Sequence, residues 1–209
     1  MTQAAEIQLG YGTVPGTPVS GKVSLHSLTG GELQLKNDAA AVLPLAMYRI
    51  ASTTLIATGN ITFSAIPQTY AHLMMMGRLK SIAAAWEESI YAKFNGNSSA
   101  NYYGEYIQAY NANVSGGITN GAAQLSLGVI NAGTQPCRSP FRADFPNYAL
   151  EDYPTMQGEL ATQSTNSPMM MQKINFGGWL NVSGPITSIT IGCASGFDIG
   201  STLSLYAYA

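Results

Sequence analysis

The chain has 209 residues, 46% of them apolar and 10% charged, with 9 Lys+Arg against 11 Asp+Glu. That apolar content fills a core and excludes disorder, while scattered cations and a formal net charge of -2 exclude a nucleic-acid footprint, which needs clustered Lys and Arg. Ordinary soluble domains are about 25% charged, so a surface this neutral suits a protein that buries it against copies of itself or a scaffold, where neutral polar groups escape the desolvation cost of ions.

Taken in chain order, residues 1–18 carry Gly10, Gly12, Pro15, Gly16 and Pro18 with no sustained period, which predicts an extended arm. The start lacks the basic and apolar regions of a secretion signal. No run approaches the roughly 18 apolar residues of a membrane span, so the expectation is a chain made in a cytosol with no membrane partner. Residues 19–44 open with a two-residue alternation: Val23 and Leu25 among polar residues, a Thr29-Gly30-Gly31 turn, then Leu33 and Leu35. This predicts a β-hairpin. Two strands alone are marginal, so the hairpin reads as an attachment module, followed by a small-residue connector ending at Pro44.

Residues 45–209 form the predicted body. Short β-rich runs separated by Gly, Asn, Ser and Pro cover Thr53–Ala57, Ile61–Ile66, Thr69–Arg78, Ile90–Phe94, Ala123–Ile130, Lys173–Leu180, Ile186–Gly192 and Ser201–Ala207. The fold class is therefore all-β, a jelly-roll-like β-sandwich. Leu79, Ile82, Ala83, Trp86 and Ile90 fall at helical spacing, so Leu79–Ile90 fits an amphipathic helix as well as a strand. Asn101–Asn111 reads as a short helix or a long loop.

Little in the sequence builds catalysis. His26 and His72 are the two histidines; the first falls on the polar face of the hairpin and the second reads as a core or interface residue in a Met-rich strand. Cys137 and Cys193 lie outside any metal-like spacing and read as unpaired core thiols. No His/Cys/Asp cluster offers metal ligands, no phosphate-loop or dinucleotide signature is present, and no cofactor is expected. Asp144, Glu151, Asp152 and Glu159 form the densest acidic region; Asp144 with Glu151 or Asp152 is the one pair that a small glycan hydrolase would use. A solvated loop around Pro140, Pro146 and Pro154 is the preferred reading of that region.

The aromatic residues say more. Tyr102, Tyr103, Tyr106 and Tyr110 crowd one segment beside Asn97 and Asn101. Tyr rings stack on the apolar faces of sugars and Asn amides pair with hydroxyls, but the same residues serve a subunit interface or a core, which is the preferred reading. The runs Met74–Met76 and Met169–Met171 place Met on both faces of a strand, which predicts burial from both sides, by the opposite sheet and by a neighbouring subunit.

Three landmarks occur in order. Phe63-Ser64-Ala65-Ile66-Pro67-Gln68-Thr69-Tyr70-Ala71-His72-Leu73 is followed by Tyr91-Ala92-Lys93-Phe94-Asn95-Gly96-Asn97 with Asn101-Tyr102, then by Ile186-Thr187-Ser188-Ile189-Thr190-Ile191 with Gly200-Ser201-Thr202-Leu203-Ser204-Leu205-Tyr206. Together with the hairpin over Lys22–Lys36 they resemble a family of tailed-bacteriophage structural proteins, across roughly Lys22–Tyr206. The chain departs from the family's pattern at Met74-Met75-Met76, where an Arg is usual, and in ending Tyr206-Ala207-Tyr208-Ala209. The resemblance implies a non-enzymatic virion component, assembled in the host cytoplasm as a homotrimer with other virion proteins as partners. A tail fibre or receptor-binding protein facing host surface polysaccharide is the first expectation. A capsid decoration protein, cement or head fibre, is the alternative.

Overall fold

The computed structural model describes residues 9–11, 23–27, 33–37, 42–43, 47–110, 113–150, 154–162, 170–179 and 184–208. The protein is all-β, with no helix among the described residues, so none is long and apolar enough to cross a membrane. The chain divides into two compact units, Met1–Tyr48 with Tyr208–Ala209, and Arg49–Ala207.

The first unit holds a four-stranded sheet in the order β1 (Leu9–Tyr11), β2 (Val23–Ser27), β3 (Leu33–Asn37), β4 (Val42–Leu43). The predicted hairpin is β2 with β3, which pair antiparallel with Leu25 opposite Leu35, Val23 opposite Asn37 and Leu33 opposite Ser27. Part of the predicted arm is a strand: β1 runs parallel to β2 and pairs Leu9 with Leu25. The rest of the arm and the Thr29-Gly30-Gly31 turn lie outside the described residues.

The second unit is a two-sheet sandwich. Its strands are β5 (Tyr48–Thr54), β6 (Ile61–Phe63), β7 (His72–Leu79), β8 (Glu87–Phe94), β9 (Tyr102–Tyr110), β10 (Asn113–Ala122), β11 (Leu125–Asn131), β12 (Ser139–Pro146), β13 (Thr155–Thr162), β14 (Met170–Trp179), β15 (Ile189–Cys193) and β16 (Thr202–Tyr208). An eight-stranded sheet in the order β10-β9-β14-β13-β12-β7-β16-β5 packs on a four-stranded sheet in the order β11-β8-β15-β6. Alternation builds the shared core. Leu73, Met75 and Leu79 of β7, Phe141, Ala143 and Phe145 of β12, and Leu203, Leu205 and Ala207 of β16 point inward from the large sheet. Ile90, Ala92 and Phe94 of β8 with Ile189 and Ile191 of β15 meet them from the small one. Every second residue of a strand faces the same side, which is why these strands read as alternating rather than continuous apolar runs.

Two expectations are corrected, and one open choice, helix or strand over Leu79–Ile90, is resolved as strand and turn. The segment Leu79–Ile90 is not a helix. Leu79 ends β7, Ile90 lies within β8, and the turn between them satisfies its backbone on the loop after β11, through Ala132 N to Trp86 O (3.1 Å), Gly133 N to Ala83 O (2.8 Å) and Thr134 N to Ala85 O (3.2 Å). Helical spacing there arises because buried Leu79 at the end of β7 and buried Ile90 inside β8 flank a turn, while Ile82 and Trp86 remain exposed. Asn101–Asn111 is neither helix nor loop, since Tyr102–Tyr110 is a strand that alternates inward and outward. The proline-rich acidic region is strand at its two flanks: Pro140 and Pro146 sit near the two ends of β12, on outward positions, Asp144 and Glu159 are outward residues of β12 and β13, and Asn147–Leu150 after β12 is a turn. Glu151 and Asp152 lie outside the described residues.

The Met run is buried on both faces without a second subunit at two of its positions. Met74 and Met75 are both buried within the chain, and Met76 is 43% exposed. The side chains of Met169–Met171 are outside the described residues.

Candidate functional site

The six residues singled out for sugar or subunit contact do not share one surface. Tyr102 is fully buried; its hydroxyl accepts a bond from Phe94 N (2.9 Å) and donates to Asn97 O (3.1 Å), and burial pushes its phenol pKa up. Tyr106 lies across Gly117 on the neighbouring strand, where any side chain would collide with its ring. Asn97 accepts from Ser99 N at 2.6 Å and shapes the loop entering β9, and Asn101 N bonds Ser99 O at 2.7 Å within the same loop. The Tyr110 side chain is outside the described residues. Among the described side chains of the six, Tyr103 turns to the open face of the large sheet and lines a groove there. Alternation along β9 assigns Tyr102 and Tyr103 to opposite faces, which a loop reading could not anticipate.

The motif residues instead tie strand ends together. Gln68 donates to Ile66 O (2.7 Å) and Ile186 O (3.0 Å). Asn95 has a left-handed backbone (φ 51°), accepts from Thr187 N, Thr187 Oγ1 and Ser188 N at 2.8 to 3.1 Å, and donates to Pro185 O. Asn is among the few residues that adopt this conformation at low cost. Buried Ser201 accepts from Lys80 N at 3.2 Å, and Tyr148 donates its hydroxyl to Pro67 O. Of the two readings of His72, core or interface, the core one is corrected: the residue is exposed at the start of β7, with Nδ1 accepting from Asn147 N at 3.3 Å. His26 falls on β2, and its side chain is outside the described residues.

One polar cluster looks chemical but is built to hold still. Glu88 accepts bonds from Ser81 Oγ, from Ser195 N (3.1 Å) and from Ser195 Oγ (2.7 Å). Burial opposes its charge, but the bonds from Ser81, Ser195 and Cys193 outweigh that and hold its carboxyl below the usual range. Cys193 is buried, and desolvation, followed by its hydrogen bond to Glu88 and that carboxylate's charge, pushes its thiol up to about 12. A thiol so poised is neither nucleophile nor ligand at neutral pH. Because the folded thiol titrates higher than the unfolded one, its contribution to stability is complete below about pH 8.5 and is lost as pH rises toward about 12. Iodoacetamide at mildly alkaline pH should leave Cys193 unmodified in the native protein and modify it in urea, as read by peptide mass; alkylation at equal rates in both states would refute the assignment.

Asp144 is held by Arg142, with Nε 3.0 Å from Oδ2, and lies in register with Met74 on one side and Gln157 on the other. No carboxylate stands directly across from it. Among the described residues no three His, Cys, Asp or Glu side chains converge to hold a metal ion. Cys137 is half-buried, with Asn131 Nδ2 2.9 Å from its sulfur.

The open face of the large sheet carries the two depressions of interest. A groove of about 410 Å3 runs beside Tyr103, with Glu105, Ile118, Thr119, Asn120 and Thr155 around it. Gly178, paired with Tyr103 across β14, brings no side chain, so the floor beside the ring stays low. The second depression, about 650 Å3, lies between Met76, Ile107, Pro140, Arg142 and Glu159. Register explains it: Met76 opposes Arg142, Arg142 opposes Glu159, and Ile107 stands two strands beyond. Apolar ends and charged middle thus share one rung of the sheet. Comparison of the chain with family models, with curated proteins and with solved structures returned no match.

Proposed function

We propose that this chain is a non-enzymatic structural component of a bacteriophage particle, a tail-fibre or receptor-binding protein that uses the open face of its large sheet to hold host surface polysaccharide. The groove beside Tyr103 carries the reading. It combines one partly exposed aromatic ring with a carboxylate, an amide and two threonine hydroxyls, the set that stacks on a pyranose face and pairs with its hydroxyls. The two-sheet body holds these groups on strands rather than on loops, which keeps such a site rigid. The resemblance to phage structural proteins supplies the particle context, and the low charge of the chain accords with packing against other subunits.

The purified protein should bind one of a panel of bacterial surface polysaccharides and compete with infection by the phage that carries it. Tyr103→Ala should weaken that binding by tenfold or more while leaving the unfolding transition in place. If the protein instead restores heat resistance to bare capsids and binds no polysaccharide, the capsid decoration reading replaces this one. Release of reducing ends from the polysaccharide, lost in Asp144→Asn, would overturn the non-enzymatic assignment.

A further inference from the structure

β10 is the outermost strand of the eight-stranded sheet, and among the described residues only β9 pairs with it. Its ten residues, Asn113–Ala122, include no charge and no proline. Sheet edges are usually blunted by lysine, proline or a bulge, because a row of unpaired amides and carbonyls invites another strand. Here the register shift comes late, between Thr119 and Ala122, and leaves the stretch from Asn113 to Thr119 regular. Two branched apolar residues, Val114 and Ile118, are each 73% exposed on it.

Their placement is symmetric. Val114 and Ile118 stand two residues before and after Gly116, on one face, and Gly116 is the register partner of Ile107, itself 48% exposed. We infer that β10 is a self-pairing edge: two copies of the chain join their β10 strands antiparallel about a two-fold axis at Gly116. In that register Val114 of one copy lies across from Ile118 of the other, twice, and Ser115 lies across from Gly117. Every rung is neutral, so no like charges meet, and the residues at the axis are glycines. The two Ile107 side chains flank the paired glycines and close an apolar stripe of six residues over the seam. Such an isologous contact is closed and extends no further, and main-chain pairing with alternate side-chain matching is how added strands gain both affinity and register. The pair does not rest on the polysaccharide reading, although Ile118 borders both the groove beside Tyr103 and the seam. It makes the number of chains in the assembly even: two if β10 is the sole contact, six if the three-fold association implied by the phage resemblance forms as well.

Sedimentation of the full chain should give an even multiple of 22.0 kDa, and Val114→Lys, at an exposed site, should halve the number of chains while the circular dichroism of the folded chain is unchanged; its urea transition should fall only by what the lost association contributed. Register is tested by cysteine pairs in a Cys137→Ser background. The double variant Val114→Cys with Ile118→Cys should form a covalent dimer under mild oxidation, whereas each single variant should not, because like positions lie roughly 13 Å apart along the seam. A monomer at all concentrations, a trimer, an assembly indifferent to Val114→Lys, or single variants that cross-link as well as the double would each overturn the inference. Tyr103→Ala should leave the mass unchanged, so loss of the sugar site and loss of the pair are separately visible.

Discussion

Phe94→Ala should lower the free energy of unfolding by about 3–5 kcal/mol, the largest loss expected from any single truncation in the body. Phe94 ends β8 in the small sheet and is fully buried. Its ring lies 5.9 Å from that of Phe145, edge-on at 84°, and 5.8 Å from that of Tyr102. Phe145 belongs to β12 and Tyr102 to β9, both in the large sheet, so one side chain fastens the small sheet to two separate strands opposite. Removing it opens a cavity that neither rigid sheet can close and forfeits two aromatic contacts. The Phe94 amide is also the donor to the Tyr102 hydroxyl, so relaxation around the cavity disturbs a buried polar pair as well. Urea unfolding followed by tryptophan fluorescence gives the measurement; a loss below about 1 kcal/mol would mean that the two sheets are not joined here. Phe94→Leu keeps most of the volume and should cost well under half as much.

Gly77→Val should do comparable damage by the opposite route. Gly77 lies on β7 facing β16, and a Cβ there would run into the Thr202 carbonyl oxygen, with Leu203 Cδ1 at 2.9 Å. The obstacle is neighbouring backbone, which has no rotamer to change, so β7 and β16 would have to separate. Overpacking typically costs about 1–3 kcal/mol where side chains give way; a backbone clash in the middle of a sheet should exceed that and leave little folded protein. Gly59→Ala is the matched control, since nothing lies within 4 Å of a Cβ at that position, and its transition should shift by no more than about 0.5 kcal/mol. Equal behaviour of the two variants would show that the close approach of β16 to β7 is wrong.

The all-β class was legible because the body alternates. Leu203, Leu205 and Ala207 against Thr202, Ser204 and Tyr206 is the kind of pattern that survives any choice of partner strand. What misled was punctuation. Pro140 and Pro146 suggested a loop, yet both occupy outward positions near the ends of β12, where alternating Phe141, Ala143 and Phe145 carry the strand. The crowd of Tyr and Asn residues concealed β9 in the same way. The helical spacing over Leu79–Ile90 arose from a chain reversal, and reversals depend on distant backbone partners such as Ala132 and Gly133, which local periodicity does not register. Of the candidate site, Tyr103 was within reach of the sequence, but Thr155 and Gly178 come from strands far along the chain. The value of Val114 and Ile118 also appears only once β10 is seen to be an edge. The motif residues Gln68 and Asn95 were noticed for their resemblance, and their partners at Ile186 and Pro185–Ser188 show them to be fasteners between loops.

The strand order has a consequence in time. β16 occupies the slot between β5 and β7, and Ser52 reaches Ser204 across 152 positions of chain. Until β16 arrives, β5 has no neighbour in the sheet and β7 has one bare side, so two sticky margins persist through most of the search for the native state. Closing so long a loop before any contact rewards it places this fold among the slow ones, milliseconds to seconds rather than microseconds. During that interval the scarcity of charge that suits the finished surface offers the unfinished chain little protection from its neighbours.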